Sequence, residues 1–461
     1  MAHSWRRRAL AWAIAAGLLT AGCGKQFGLL GSSDANLGAS DVNLGGKFPP
    51  GFMWGVATAG FQSEGGETPS NWAPWEREGK LGSPRKKAVD FWNRYGEDLD
   101  LAKGMGLNAF RMSVEWSRIE PTPGKWDEAA LAHYRKVVDA ALARGLQPIL
   151  TLQHFVYPEW LDGDLSPDGF ENPETPKHFA RYARRVAQEF KGKVKYWITI
   201  NEPNVLALGS YGVGFFPPGN VGWGPYARAS KGIVAAHRAA YDALHEVDPG
   251  NQVSSNVFYV YSEKPSKYDP GKLWGTTEEV GVLAGEVPPH LAGPYIDDLG
   301  ARHLDYIAID YYWGIAASAA FNTRKPYLWP VYPKGLEDAC TNLWNTYRKP
   351  ILIAENGLAT KNLGKRDDGW TREAFMVQHL YYLRQAMQKG AKVVGYVHWS
   401  ITDNYEWGDW TPRFGLYSVD GLNDPALKRV PTPAVDVYRQ IAGANSLSSK
   451  LVWEYMGVGT K

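Results

Sequence analysis

Eight short apolar runs recur between residues 52 and 400: FMWGVA (52–57), AFRMSV (109–114), QPILTLQ (147–153), YWITIN (196–201), NQVSSNVF (251–258), YIAIDYY (306–312), PILIAEN (350–356) and VVGYVHWS (393–400). Most are short and rich in apolar and β-branched residues, with no regular polar alternation. Strands buried on both faces read this way. Helical patterns lie between most of them. DEAALAHYRKVVDAALARG (127–145) opens on acids, spaces its apolar residues by three and four, and closes on Gly145. PKHFARYARRVAQEFKGK (176–193) and TREAFMVQHLYYLRQAMQKG (371–390) follow the same rule. Strand-plus-helix units repeated eight times predict an α/β chain, a (β/α)8 TIM barrel as a single domain with enlarged loops after the strands. A doubly wound open sheet is the alternative, but no glycine-rich phosphate turn follows the first run.

Residues 1–22 stand apart from this pattern. Arg6, Arg7 and Arg8 precede an apolar stretch from Leu10 to Leu19, then small residues Ala21 and Gly22. That order predicts an export signal, too short to span a membrane comfortably. Its end, LTAGC, resembles a bacterial lipobox, with Thr20 where Leu is usual, and Cys23 is the expected lipidation site. An ordinary cleaved signal with an incidental cysteine is the alternative. Residues 23–46, rich in Gly, Ser and Asn, read as a flexible tether. The expected catalytic domain is 47–445, and 446–461 a C-terminal tail. An exported protein, periplasmic or on the cell surface and held by a lipid, follows from these readings. Cys340 is the only other cysteine, so no disulfide framework is expected.

In a barrel of this class the site lies at the C-terminal ends of the strands. The polar residues there are Gln62, Glu64, Arg111, Glu115, Gln153, His154, Asn201, Glu202, Asp310, Tyr312, Glu355, Asn356 and Trp399, with Glu406, Trp407 and Trp410 after the last strand. A net charge of +2 gives no nucleic-acid footprint. His154 has no second histidine or cysteine at ligand spacing, so a zinc site is not expected. No Gly-x-Ser-x-Gly elbow occurs. What remains is a pair of glutamates, Glu202 and Glu355, each ending a core strand, with amides and rings around them. Aromatic content of 13% supplies flat faces suited to sugar rings, or simply a large core. Glycosidic cleavage needs such a pair, one carboxyl protonated and one ionised.

Several segments then agree with one family. FMWGVATAGFQSEGG, FRMSVEWSRIEPTPGKWD, LTLQHFVYPEWL, WITINEPN, ILIAENG and GYVHWSITDNYEWGDWTPRFGLYSVD stand in order over most of the chain. From Phe48 to about Gly443 the sequence resembles glycoside hydrolase family 1, the β-glucosidase and β-galactosidase family. The resemblance implies a (β/α)8 fold and hydrolysis of β-glycosides with retention, through a covalent glycosyl-enzyme. It makes Glu202 the acid/base and Glu355 the nucleophile. Asn201 would bind the sugar 2-hydroxyl, Gln62, His154, Glu406 and Trp407 the other hydroxyls, and Trp399 would stack under the ring. Arg111 and Tyr312 would contact Glu355 and keep it ionised. Neither cofactor nor metal is implied; the partner is a small β-glycoside or oligosaccharide. A transglycosidase on the same site, or a surface sugar-binding lipoprotein without catalysis, are the rival readings.

Four departures from the family pattern stand out. Asp310 occupies a position where Asn is usual, and an acid there would add negative charge beside the pair. Phe155 replaces a tryptophan after His154, and Ala354 a threonine before Glu355. The stretch from 259 to 305 looks short, which would open the side that receives the leaving group. The branch of the family acting on 6-phosphosugars carries Ser and Lys after strand eight. Here Glu406 and Trp407 stand instead, and a carboxylate would repel phosphate.

Overall fold

The computed structural model describes residues 44–163, 168–259, 261–262, 299–315, 325–361 and 365–459. The expected signal, Cys23 and nearly all of the tether therefore lie outside the described residues, as does most of the 259–305 stretch.

Each of the eight apolar runs contains a strand: β1 Met53–Ala57, β2 Ala109–Ser113, β3 Gln147–Gln153, β4 Tyr196–Asn201, β5 Gln252–Phe258, β6 Ile307–Asp310, β7 Ile351–Asn356 and β8 Val393–Trp399. They pair in parallel in chain order, and β8 pairs with β1 through Gly395↔Met53 and Trp399↔Ala57. The sheet is a closed barrel, so no strand edge is left unpaired. The helices are α1 Phe91–Gly104, α2 Glu128–Ala143, α3 Thr175–Glu189, α4 Trp223–Val247, α5 Lys334–Tyr347, α6 Arg372–Gln388 and α7 Ala434–Ala444. Asp127 caps α2 by accepting from the Ala130 amide at 2.9 Å, and Thr371 caps α6 in the same way. The architecture is that of a TIM barrel.

The barrel interior is built from alternate strand positions. Met53, Ala57, Ala109, Ile149, Ile198, Ala308, Leu352, Ala354, Val397 and Trp399 form one buried cluster. Small residues are required where opposite walls approach. A β-carbon at Gly395 would lie 2.7 Å from the Met53 β-carbon and 2.9 Å from Leu352 Cδ1. Arg111 shares the inward parity of Ala109, so its guanidinium is driven up the barrel axis toward the strand ends. Only paired partners can hold a charge there.

The expected tail is built onto the barrel. Gly46–Lys47 pairs antiparallel with Ser446–Leu447, and Phe48 donates its amide to the Asn445 carbonyl at 2.9 Å. Ser449–Tyr455 forms helix α8, capped by Ser448 and packed against α6. The Gln378 amide holds the Tyr455 and Val458 carbonyls. A helix of seven residues carries fewer than two turns, too few for a period to show in the sequence.

Candidate active site

Glu202 reaches its place through local backbone chemistry. β4 is buried along Trp197–Asn201, and the chain must then turn into the short helix Pro203–Leu206. A residue before proline is barred from the right-handed helical region. Glu202 adopts φ +40°, a left-handed conformation, with its amide donating to the Asn256 carbonyl at 2.8 Å. Phe155 (φ +61°) and Trp407 (φ +49°) are in the same region of the map. Left-handed backbone at a non-glycine residue costs about 1–3 kcal/mol and persists only where surrounding structure imposes it. Three such residues gather at one end of this barrel.

Glu355 ends β7 next to Asn356 and Gly357. A β-carbon at Gly357 would sit 2.0 Å from the Trp399 carbonyl oxygen, so this position admits only glycine. Asn356 donates to the Tyr311 carbonyl at 2.5 Å and accepts from the Tyr396 hydroxyl at 2.8 Å. The ILIAENG motif thereby locks the end of β7 to β6 and β8.

Arg111 joins three strands to Glu355. It donates to Glu355 Oε1 at 2.5 Å, to Asn201 Oδ1 at 2.5 Å, to the Ala354 carbonyl at 3.2 Å and to Thr151 Oγ1 at 3.1 Å. The Tyr312 hydroxyl donates to Glu355 Oε2 at 2.5 Å. Both oxygens of Glu355 are thus aimed. Oxygens of Glu202, Glu355 and Asp310 lie within 4.8 Å of one another. Retaining glycosidases hold their two carboxyls about 5–5.5 Å apart, whereas inverting ones leave about 6.5–9.5 Å for a water. Oxygens this close belong to the short-separation arrangement rather than the long one.

Burial raises both glutamates above the usual carboxylate range, and their neighbours then separate them. The Arg111 charge and the hydrogen bonds from Tyr312 and Arg111 hold Glu355 down. Glu202 is pushed well up by burial and by the negative charge of Glu355. Burial and Arg111 push His154 well below the usual imidazole range, so it is neutral. Burial pushes Glu406 up to about 8.

The remaining predicted residues line the same opening. Gln62, on the short helix Gly60–Ser63 after β1, donates to Glu406 Oε2 at 3.1 Å and to Asn404 Oδ1 at 3.0 Å. The Trp399 indole lies 3.5 Å from Glu406 Oε1. The His154 ring is nearly parallel to Trp399 (centroids 5.5 Å, 8°) and to Trp407 (5.9 Å, 15°). Gln62 Oε1 and Asn201 Nδ2 are buried and find no partner among the described residues, which leaves an acceptor and a donor for a ligand. Glu64 and Glu115, read from sequence as structural, form a separate buried group: Glu64 takes bonds from Arg118 and Tyr134, and Glu115 from Ser113. Asn256 and Asn404 were not anticipated. Asn256, two residues before the end of β5, donates to Asn201 Oδ1 at 2.7 Å and to Asp310 Oδ2.

A closed parallel barrel with paired carboxyls at the ends of β4 and β7, ringed by amides and indoles, defines a glycoside hydrolase. Comparison with known proteins places it further. Residues 44–280 and 315–447 match the sequence profile of Glycosyl hydrolase family 1, and the chain belongs to that family. It is 30% identical to a beta-galactosidase of Saccharolobus solfataricus over 88% of this chain and 96% of that protein. It is also 30% identical to the 6-phospho-beta-glucosidase AscB of Escherichia coli, over 86% and 98%. Among solved structures, the beta-glucosidase from Thermotoga maritima in complex with azafagomine superposes with a TM-score of 0.75 at 28% identity, covering 87% of this chain and 99% of that one. The beta-glycosidase from Pyrococcus horikoshii gives 0.74 at 30% identity, over 90% and 98%. The protein is a glycoside hydrolase acting on β-glycosides.

Proposed function

We propose that the enzyme is a retaining, exo-acting β-glycosidase of unphosphorylated sugars, glucosides first, with galactosides and fucosides as further substrates. Glu355 is the nucleophile and Glu202 the acid/base. The observation that carries this reading is the asymmetric pair: one carboxyl gripped by Arg111 and Tyr312, the other close by without a cation of its own. In the first step Glu355 closes on C1 while Glu202 protonates the departing oxygen. In the second, Glu202 takes a proton from the water that attacks C1. Gln62, His154, Asn201, Glu406 and Trp407 hold the sugar hydroxyls, and Trp399 is the floor beneath the ring. Glu406, hydrogen-bonded to Gln62, suits neutral hydroxyls and supplies no positive charge to pair with a 6-phosphate.

The test is a panel of aryl β-glycosides with proton NMR of the first-formed sugar. Release from the β-glucoside, with the β-anomer formed first and the 6-phosphoglucoside inert, is expected. An α-anomer formed first would refute retention. Turnover confined to the 6-phosphoglucoside would refute the sugar class.

The basic, apolar and LTAGC segments also support export of the chain and lipidation at Cys23. Labelled fatty acid should enter the wild-type protein in a bacterial host and not Cys23→Ser. Equal labelling of the two would reject the anchor.

A further inference from the structure

Asp310 is fully buried at the end of β6. Its Oδ2 accepts from Asn256 on β5. Its Oδ1 receives a hydrogen bond from no donor among the described residues. The charged and titratable groups facing it are Glu355 from β7, Glu202 from β4 and Arg111 from β2. Arg111 is directed elsewhere, to Glu355 and Asn201. Glu406, from the loop after β8, is a further titratable neighbour of Glu202. Three carboxyls thus share one guanidinium. An oxygen of Asp310 lies within 4.8 Å of oxygens of Glu202 and Glu355, and Glu355 is taken up by Arg111 and Tyr312, which leaves the carboxyl of Glu202 facing Asp310. While Glu355 is ionised beside them, two further ionised carboxylates facing each other in a buried site are strongly disfavoured. A proton there relieves the repulsion.

We propose that Glu202 and Asp310 hold one proton between them, so that Asp310 is a positioning residue that sets the protonation of the acid/base. The inference rests on the roles given to Glu202 and Glu355 above. Its charge balance closes. In the first step the shared proton passes to the glycosidic oxygen as the C1–O bond breaks, and a Glu355 oxygen bonds to C1. The alcohol leaves neutral. Glu355 loses its charge to the ester while the Glu202–Asp310 pair gains one. The net charge of the site is unchanged. In the second step the doubly ionised pair takes a proton from water, the water oxygen bonds to C1, and the ester bond to Glu355 breaks. Asp310 thereby makes Glu202 a weaker acid and a stronger base than an amide neighbour would.

Asp310→Asn keeps the shape and removes the charge. The alkaline limb of kcat/KM for a phenyl β-glucoside, whose leaving group needs protonation, should move about one pH unit or more to lower pH. With a dinitrophenyl β-glucoside, which leaves unaided, the limb should not respond. An unmoved limb with the phenyl substrate, or equal movement with both, would overturn the proposal. A second readout needs no turnover. In infrared difference titration of the free enzyme, the protonated-carboxyl band should persist to higher pH in the wild type than in Asp310→Asn. Loss of the band at the same pH in both would also overturn it. If the enzyme cleaves neither substrate, it is the glycosidase reading that fails, and the infrared titration still decides the shared proton. Should Asp310→Asn not fold, Glu202→Gln removes the other half of the pair. The remaining Asp310 band is then expected to vanish at lower pH than the wild-type band, and persistence to the wild-type pH would refute sharing.

Discussion

Glu355→Gly is expected to lower kcat/KM by about 10⁴-fold or more, equivalent to about 5 kcal/mol of transition-state stabilisation. The reason is geometric. Arg111 and Tyr312 hold both oxygens of Glu355 at 2.5 Å, so its attacking atom is prepositioned and its ionised form is favoured against the cost of burial. Without the carboxylate no covalent intermediate forms, and the space it leaves is large enough for a small anion. Azide or formate should restore turnover of an activated aryl β-glycoside, entering from the face opposite the leaving group. The product with azide is then the α-glycosyl azide. Activity retained without an added anion, or rescue that yields the β-glycosyl azide, would show that another residue attacks.

Glu202→Gln should act selectively. An amide has no proton to give, so a phenyl β-glycoside is expected to lose about 10²–10⁴-fold in kcat/KM, while a dinitrophenyl β-glycoside loses far less. The alkaline limb of the pH profile should disappear, since that limb reports the loss of the Glu202 proton. Its direction follows from the site. Burial and the charge of Glu355 raise this carboxyl, so the acid form persists as pH rises and activity falls only when the proton is lost. Azide should accelerate the second step for the dinitrophenyl substrate and give the β-glycosyl azide, because no base is needed to activate it. An equal loss with both leaving groups would assign Glu202 to binding or support.

Much of this site was legible because barrel topology converts sequence position into place. A polar residue that ends a run of core residues must lie at the rim, and a glutamate stands at that point of each strand, Glu202 just past the end of β4 and Glu355 next to last in β7. Gln62 and Glu406 are 344 residues apart, yet they meet because β8 closes on β1. The C-terminal segment was misread for a converse reason. Leu451 and Val452 are buried by contact with other elements, and seven residues of helix show no period on their own. Asn256 was missed because a single amide in NQVSSNVF looks like any strand polar group until Asn201 and Asp310 are seen on either side.

The sequence by itself determined the strand order, the helices, the barrel class and the identity of the groups at its mouth. These depend on local hydrogen-bonding demand and on apolar spacing within a few residues. Only the tertiary structure decided how each carboxyl is moved from its ordinary range. That depends on desolvation and on charges brought in from other strands: Arg111 from β2 pairs with Glu355, and among the described residues no cation pairs with Glu202 or Asp310. A carboxylate's protonation is set by the few ångströms around it, and those are filled by residues remote in the chain.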